Sequence, residues 1–127
     1  MLDFSQPRKF VFFEIVEPTE EMLGKLAPGE EIQAVFKTFR DFVLFTNRRI
    51  IVADKQGLTG RKVESLTIPY RSVVLYSMEN AGTFDLEAEL DLLLAGGVRV
   101  KFEFVKGKKT REMLDVVNKT LGSFLMG

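Results

Sequence analysis

Apolar and polar residues alternate along much of the chain between residues 30 and 105, which is the period of β-strands with one buried face. The strictest alternation is at 84–92, where apolar side chains are separated by Asp and Glu. These residue types favour a helix, but a helix would scatter the apolar side chains around its axis, whereas a strand places them on one face. We therefore predict a strand at 84–92 and another at 98–104.

Further strands are predicted from short apolar runs separated by turn residues, at 31–39, 42–45, 50–53, about 61–68 and 73–78. The runs at 42–45, 50–53 and 73–78 are apolar on both faces. In the last run, alternation places Val74, Tyr76 and Met78 on one face and Val73 and Leu75 on the other. An antiparallel strand with one face in water should alternate, so these runs predict that a second face of the sheet is also covered.

The first 29 residues have a mixed pattern. Residues 10–16 are apolar enough for a strand but suit a helix equally, and both alternatives stay open. Pro18 to Glu21 resembles a helix start, because acidic side chains favour the positive end of the helix dipole. Pro28 and Gly29 end this predicted short helix, which spans about residues 18–27.

The pattern changes again near the C-terminus, where apolar residues recur at intervals of three and four. This spacing predicts an amphipathic helix over 108–126, with Thr110 as its N-cap. We expect its stripe to pack on the last two strands. The helix residues in this contact are Met113, Leu114, Val117, Leu121 and Phe124, and the strand residues are Phe84, Leu86, Leu90, Phe102 and Phe104.

The length suits one domain, which we place at 1–127. It comprises an N-terminal extension with a short helix (1–29), a strand region (30–105) and a terminal helix (108–126). Short turns imply antiparallel neighbours. The predicted fold is mainly β, a seven-stranded antiparallel barrel or sandwich capped by the C-terminal helix.

The amino-acid composition disfavours several classes of function. The chain has neither Cys nor His, which removes the commonest metal ligands and the usual general base, and we expect no catalytic residues, metal or cofactor. Eighteen basic and eighteen acidic residues cancel, so the overall charge does not favour nucleic acid. No stretch approaches the roughly 20 apolar residues of a membrane span. We expect a soluble cytoplasmic protein without integral membrane association.

Two charged segments could be read as binding sites, one for phosphate and one for a cation. The basic residues at 106–110 precede a helix, but they lack the glycine spacing of a phosphate-binding loop. Asp85, Glu87, Glu89 and Asp91 form an acidic stripe on one strand face. Neighbours in this stripe are about 7 Å apart, too far for one hard cation without other ligands. We expect a solvated face partly paired with Arg99 and Lys101, or a contact with a neighbouring subunit.

Four segments in order resemble the signature segments of bacterial pleckstrin-homology (PH-like) domains: RDFVLFTNRR at 40–49, DKQGLTGRKVE at 54–64, IPYRS at 68–72 and AGTFDLEAEL at 81–90. They lie between residues 40 and 90, about two fifths of the chain. The resemblance implies a PH-like fold, no enzymatic activity, a tendency to assemble into rings and no generally known ligand. It also raises the alternative of a lipid head group or peptide ligand.

The hairpin that binds inositol phosphates in eukaryotic PH domains carries here only Lys37 and Arg40, with Asp41 adjacent, so we expect no specific phosphoinositide binding. We take the following charged residues as candidate interface or binding residues: Arg40, Asp41, Arg48, Arg49, Lys55, Arg61, Lys62, Asp85, Glu87, Glu89 and Asp91.

The expected partner is the protein itself. One helix cannot cover both an open end of the sheet and the outer apolar faces at 42–45 and 50–53. Either the segment with Phe10, Phe12 and Phe13 folds back over them, or a second subunit covers them. The resemblance favours the subunit, so we predict a homo-oligomer.

Overall fold

A computed structural model describes residues 7–39, 42–56, 62–80, 88–107 and 109–125. In these residues the strands are β1 (Arg8–Phe12), β2 (Glu14–Ile15), β3 (Ile32–Lys37), β4 (Phe42–Thr46), β5 (Arg49–Gln56), β6 (Lys62–Pro69), β7 (Val73–Asn80), β8 (Ala88–Leu94) and β9 (Arg99–Phe104). The helices are α1 (Glu20–Leu23) and α2 (Thr110–Leu125).

The strands form two sheets, β1-β9-β8-β7 and β2-β3-β4-β5-β6. The sheets pack as a sandwich, with α2 against the core between them. The mainly β fold with a terminal helix is therefore confirmed, while strands begin at residue 8 and not at 30. The seven predicted strands correspond to β3–β9 and pair with one another in antiparallel fashion. The described residues add β1 and β2 before them, and β1 lies parallel to β9.

The N-terminal segment supplies the two additional strands and resolves the ambiguity at 10–16 in favour of strand. Only Phe13 separates β1 from β2, so the segment crosses from the edge of one sheet to the edge of the other. The amide of Phe13 donates to Lys37 O at 2.9 Å, and that of Val105 donates to Phe12 O at 3.0 Å. These bonds join both sheets to the same short segment.

Phe12 lies at the centre of the core that results. It is fully buried, and its ring stacks on Phe36 at 4.6 Å and on Phe102 at 4.7 Å between ring centroids. Phe36 belongs to the five-stranded sheet and Phe102 to the four-stranded sheet. Phe12 therefore joins the two apolar faces.

A second apolar cluster covers the outer face of the five-stranded sheet. Its buried members are Met22, Val35, Phe42, Leu44, Ile51 and Ala53. Met22 comes from α1, whose N-cap Thr19 accepts a hydrogen bond from the amide of Met22 at 3.3 Å. The doubly apolar strands β4 and β5 are thus covered within the same chain, by α1 and the residues around it.

α2 packs its apolar stripe into the core as the spacing predicted. Met113, Val117 and Leu121 are fully buried in the cluster that contains Leu90, Phe102 and Phe104, and Leu114 and Phe124 pack at its margin. The predicted partners Phe84 and Leu86 lie outside the described residues.

Thr110 acts differently from the predicted N-cap. It is the first residue of α2, and its hydroxyl donates to Val105 O at 2.5 Å. The carbonyl of the preceding Lys109 accepts from the amide of Met113 at 3.0 Å, which is what an N-cap carbonyl does. The Thr110 side chain instead ties the helix to the end of β9.

Candidate interaction surface

The turn between β4 and β5 is built around Thr46, which is fully buried. Its hydroxyl accepts from the amides of Arg48 and Arg49 at 3.1 and 3.0 Å and donates to Glu30 Oε2 at 2.7 Å. Its carbonyl accepts from the hydroxyl of Tyr70 at 2.6 Å. These bonds point the Arg49 side chain towards the 25–30 loop and leave Arg48 exposed.

Arg49 and Glu30 form an ion pair with two contacts, Nε to Oε2 at 2.8 Å and Nη2 to Oε1 at 2.9 Å. Arg49 also donates to Lys25 O and to Thr67 Oγ1, both at 3.2 Å. The hydrogen bonds from Arg49 lower the pKa of Glu30 to about 2, although burial alone would raise it. The same pair raises the pKa of Arg49 above its ordinary value. Arg49, a candidate binding residue, is therefore committed to an internal contact.

The described residues of the acidic stripe, Glu89 and Asp91, form ion pairs within the chain. Asp91 lies opposite Lys101 across β8 and β9, and Lys101 Nζ is 3.9 Å from Asp91 Oδ1 and 3.6 Å from Glu89 Oε2. The predicted pairing with Lys101 is confirmed. Arg99 instead lies opposite Leu93, so its predicted part in the pairing was wrong.

The remaining candidates do not assemble into one site among the described residues. Arg40, Asp41, Arg61, Asp85 and Glu87 lie outside those residues. The backbones of Lys55 and Lys62 belong to the β5–β6 hairpin, where Lys55 pairs with Val63 and Lys62 with Gln56.

A different surface is exposed on β7, the outer strand of the four-stranded sheet. The side chains of Val74 and Leu75 are 62% and 54% exposed. Simple alternation grouped Val74 with Tyr76 and Met78 and placed Val73 and Leu75 opposite. The pairing with β8 shifts register between Val73 and Leu75, which changes the face. Val73, Tyr76 and Met78 therefore pack on the core, and this prediction was wrong.

Basic residues lie beside this exposed pair. Leu75 is opposite the half-buried Leu93, and Leu93 is opposite the exposed Arg99. Arg71, also exposed, lies in the turn Tyr70–Ser72 that leads into β7. We call the surface formed by Arg71, Val74, Leu75, Leu93 and Arg99 the β7 patch. It combines apolar area with positive charge.

The described residues contain no group of three or more acidic side chains arranged to hold a metal ion. Nor is any helix among them both long and apolar enough to cross a membrane.

The comparison with protein families is decisive for classification, since the bacterial PH domain family model matches residues 9–123. The chain belongs to the bacterial PH domain family. PH-like domains are generally non-catalytic.

Two uncharacterized proteins of Bacillus subtilis are similar to this bacterial PH domain in sequence. YjqA is 47% identical over 77 residues, which cover 61% of this chain and only 62% of YjqA. YozO is 33% identical over 98 residues, which cover 77% of this chain and 84% of YozO.

Solved structures confirm the fold. A protein with a pleckstrin-homology domain from Shewanella loihica has a TM-score of 0.68 at 30% identity, covering 84% of this chain and 88% of that one. A pleckstrin homology domain from Shewanella amazonensis has a TM-score of 0.64 at 36% identity, covering 84% and 94%. A PH domain containing protein from Exiguobacterium sibiricum shares the fold at 24% identity, with a TM-score of 0.62 and coverage of 91% and 63%.

Sequence reasoning missed the main charged contact of this PH domain. Glu30 directly follows Pro28 and Gly29 and therefore resembles a solvent-exposed loop residue. The available signal was Arg49, a cation beside the apolar run 50–53, because a cation at the end of a buried strand needs an acidic partner. The sequence did not show which acid provides it.

Proposed function

We propose that this bacterial PH domain is a non-catalytic interaction module that associates with further copies of itself through the β7 patch. The observation that carries the proposal is the exposure of Val74 and Leu75 on the outer strand of a sheet. An outer strand presents backbone groups that can pair with another chain, and apolar side chains on it favour such pairing.

The outer faces of β4 and β5, from which the sequence predicted self-association, are covered within the chain by α1 and its surroundings. The β7 patch instead combines exposed apolar side chains with the exposed Arg71 and Arg99, and such charges add orientation to a contact.

Light scattering at micromolar concentration tests it. We expect a mass that is a multiple of the 14.4 kDa of one chain. The double substitution Val74→Ser and Leu75→Glu should lower this mass to that of one chain, whereas Ser123→Glu, at an exposed position of α2, should not. A mass near 14.4 kDa for the unmodified protein would contradict the proposal.

One other observation favours a second function, the binding of an anionic head group. Phe39, in the turn after β3, is 78% exposed, and its ring is 4.5 Å from that of Phe13. Lys37 is exposed beside it, and Lys109 reaches the same end of the molecule, since its Nζ is 3.6 Å from Glu14 Oε2. An exposed aromatic ring near lysines is typical of surfaces that contact anionic membranes.

Titration with inositol phosphates at physiological salt distinguishes the two functions. The self-association proposal expects no binding at micromolar concentrations. The opposite result would be micromolar affinity for inositol phosphates that Lys37→Glu lowers at least tenfold. In that case head-group binding would be the favoured function.

A further inference from the structure

We propose that residues 1–6 fold back over the β7 patch of their own chain and compete with its self-association. These residues precede the described part of the chain, and their sequence is MLDFSQ. The inference rests on the proposed function, because it names what regulates the same surface.

The segment leaves the sheet at the end where the β7 patch lies. β1 runs parallel to β9 and its pairing begins at Arg8, so the chain before Arg8 continues from the end of the sheet that carries Arg99. Arg99, Leu93 and Leu75 form a row across β9, β8 and β7. Pro7 is exposed and has no amide hydrogen to donate, which favours the end of strand pairing there. The segment therefore starts at one end of this row.

Its length matches the width of the sheet. Neighbouring strands are about 4.8 Å apart, so from β1 the distance is about 10 Å to β8 and about 14 Å to β7. An extended chain advances about 3.3 Å per residue, so from Pro7 it is about 10 Å to Phe4 and about 17 Å to Leu2. A segment that crosses the sheet along the row would place Phe4 over Leu93 and Leu2 over Leu75.

The side chains that would meet are apolar. Val74 and Leu75 are 62% and 54% exposed, and Leu93 beside them is half-buried. Leu2 and Phe4 are two residues apart, so in an extended chain they point to the same side. Removal of these side chains from water favours the contact.

The charge on this outer face of the sheet changes along its strands. The row that contains Leu75 and Leu93 has Arg99 as its charged member. The acidic side chains lie further along the strands, and they are Asp91, Glu89, Glu79 and Glu103. Lysines pair with three of these four acids. The face is therefore basic at the end next to Pro7 and acidic at the other end.

This gradient favours one position for the segment. Asp3, between Leu2 and Phe4, is the only charged side chain in residues 1–6. The exposed Arg99 and Arg71 attract an acidic segment, whereas the acids at the far end of the strands repel it. Charge and apolar contact therefore direct the segment to the same part of the sheet.

Disulfide formation tests the contact directly, because the chain has no Cys of its own. The pair Leu2→Cys with Leu75→Cys is compared with Leu2→Cys with Glu79→Cys, whose second position is also exposed on β7 but lies about 13 Å further along the strand. In dilute protein under mild oxidation, the first pair should close within one chain about ten times faster, because the contact raises the effective concentration of the two thiols. Equal rates would overturn the inference. Disulfides formed only between two chains would also overturn it, and would place a second copy over the patch.

Two additional substitutions in the first pair distinguish a specific contact from the proximity of any tethered segment. Phe4→Ser removes the contact with Leu93 and should slow closure several-fold. Ser5→Ala, at the next residue, should leave the rate unchanged. An equal rate with Phe4→Ser and with Ser5→Ala would contradict the proposed position of Phe4 and overturn the inference.

Light scattering over a range of concentrations measures the regulation. The variant with Leu2→Ser and Phe4→Ser should self-associate at a concentration about tenfold lower than the unmodified protein, because the patch is then free in a larger fraction of the molecules. The matched control, Ser5→Ala with Gln6→Ala, should associate like the unmodified protein.

The failure of this inference is distinct from the failure of the proposed function. An unmodified protein of 14.4 kDa at micromolar concentration overturns the proposed function, and the regulation with it. If the unmodified protein assembles and the variant with Leu2→Ser and Phe4→Ser assembles at the same concentration, the inference alone is overturned.

Discussion

Glu30 holds a negative charge at a position where its side chain is only 1% exposed. Burying a charge is costly unless it is paired and hydrogen-bonded. Here the carboxylate accepts from Arg49, from Thr46 Oγ1 and from the amide of Ala27 at 3.0 Å. These contacts join the 25–30 loop to the β4–β5 turn and so help to hold α1 over the outer face of the sheet.

The stability of the protein should therefore fall in acid over a defined range. The pKa of Glu30 is about 2 in the folded state against an ordinary value of 4.5, so the contribution is complete above pH 4.5 and is lost as the pH falls towards 2. This shift corresponds to about 3 kcal/mol of unfolding free energy. Urea unfolding at a series of pH values measures it.

The matched comparison is between Glu30→Gln and Glu31→Gln, which removes an exposed carboxylate next to it. Glu30→Gln should lose about 3 kcal/mol at neutral pH, because it leaves Arg49 without its acid. It should also lack the acid-dependent loss between pH 4.5 and 2, which Glu31→Gln should retain. Equal pH profiles for the two variants would show that Glu30 is not the group responsible.

At the scale of elements, the apolar periodicity of α2 was sufficient to predict which side of the helix is buried. Its stripe of apolar residues predicted the buried face, and Met113, Val117 and Leu121 are fully buried. Phe124 at its end stacks on Tyr70, with the ring centroids 5.5 Å apart. That contact joins the helix to the turn that connects the two sheets.

Leu121→Ala should lower the unfolding free energy by about 2–5 kcal/mol, because it leaves a cavity in the core. Ser123→Ala, at an exposed position of the same helix, should change it by less than about 0.5 kcal/mol. Chemical denaturation measures both. A loss below about 1 kcal/mol for Leu121→Ala would mean that the surrounding core closes over the site or that the helix does not pack as described.

For strand β7, the sequence pattern did not predict which side chains face the core. Its apolar residues are visible in the sequence, but the face that each occupies depends on a register shift between Val73 and Leu75. Such an irregularity depends on the pairing with β8 and leaves no mark in the alternation of β7 itself. The exposure of Leu75 therefore becomes visible only in the structure.

At the scale of the whole molecule, the two sheets are joined by the N-terminal segment as well as by the turn at Tyr70–Ser72. The sequence predicted the sheets from local alternation and the helix from its stripe. It left the segment at 10–16 undecided because its partner, β9, lies at the far end of the sequence. Local propensity carries no information about a parallel pairing over that separation.

The substitution Phe12→Ala tests whether this segment is an integral part of the core. Phe12 contacts aromatic rings of both sheets, so its loss should lower the unfolding free energy by about 3–5 kcal/mol. Val11→Ala, one residue away on the half-buried side of β1, should cost much less. Thermal and chemical unfolding both report the difference. Similar small losses for both variants would mean that β1 is only loosely attached.

The parallel pairing of β1 with β9 also sets an order of events during synthesis. Residues 8–12 leave the ribosome before their partners at 100–104 have been synthesised. Until then, Phe10 and Phe12 lack the strand on which they align, and closing so long a loop is entropically unfavourable and slows folding. In a nascent chain these aromatic rings therefore lack their partner strand until β9 has emerged, and only then can the sandwich close.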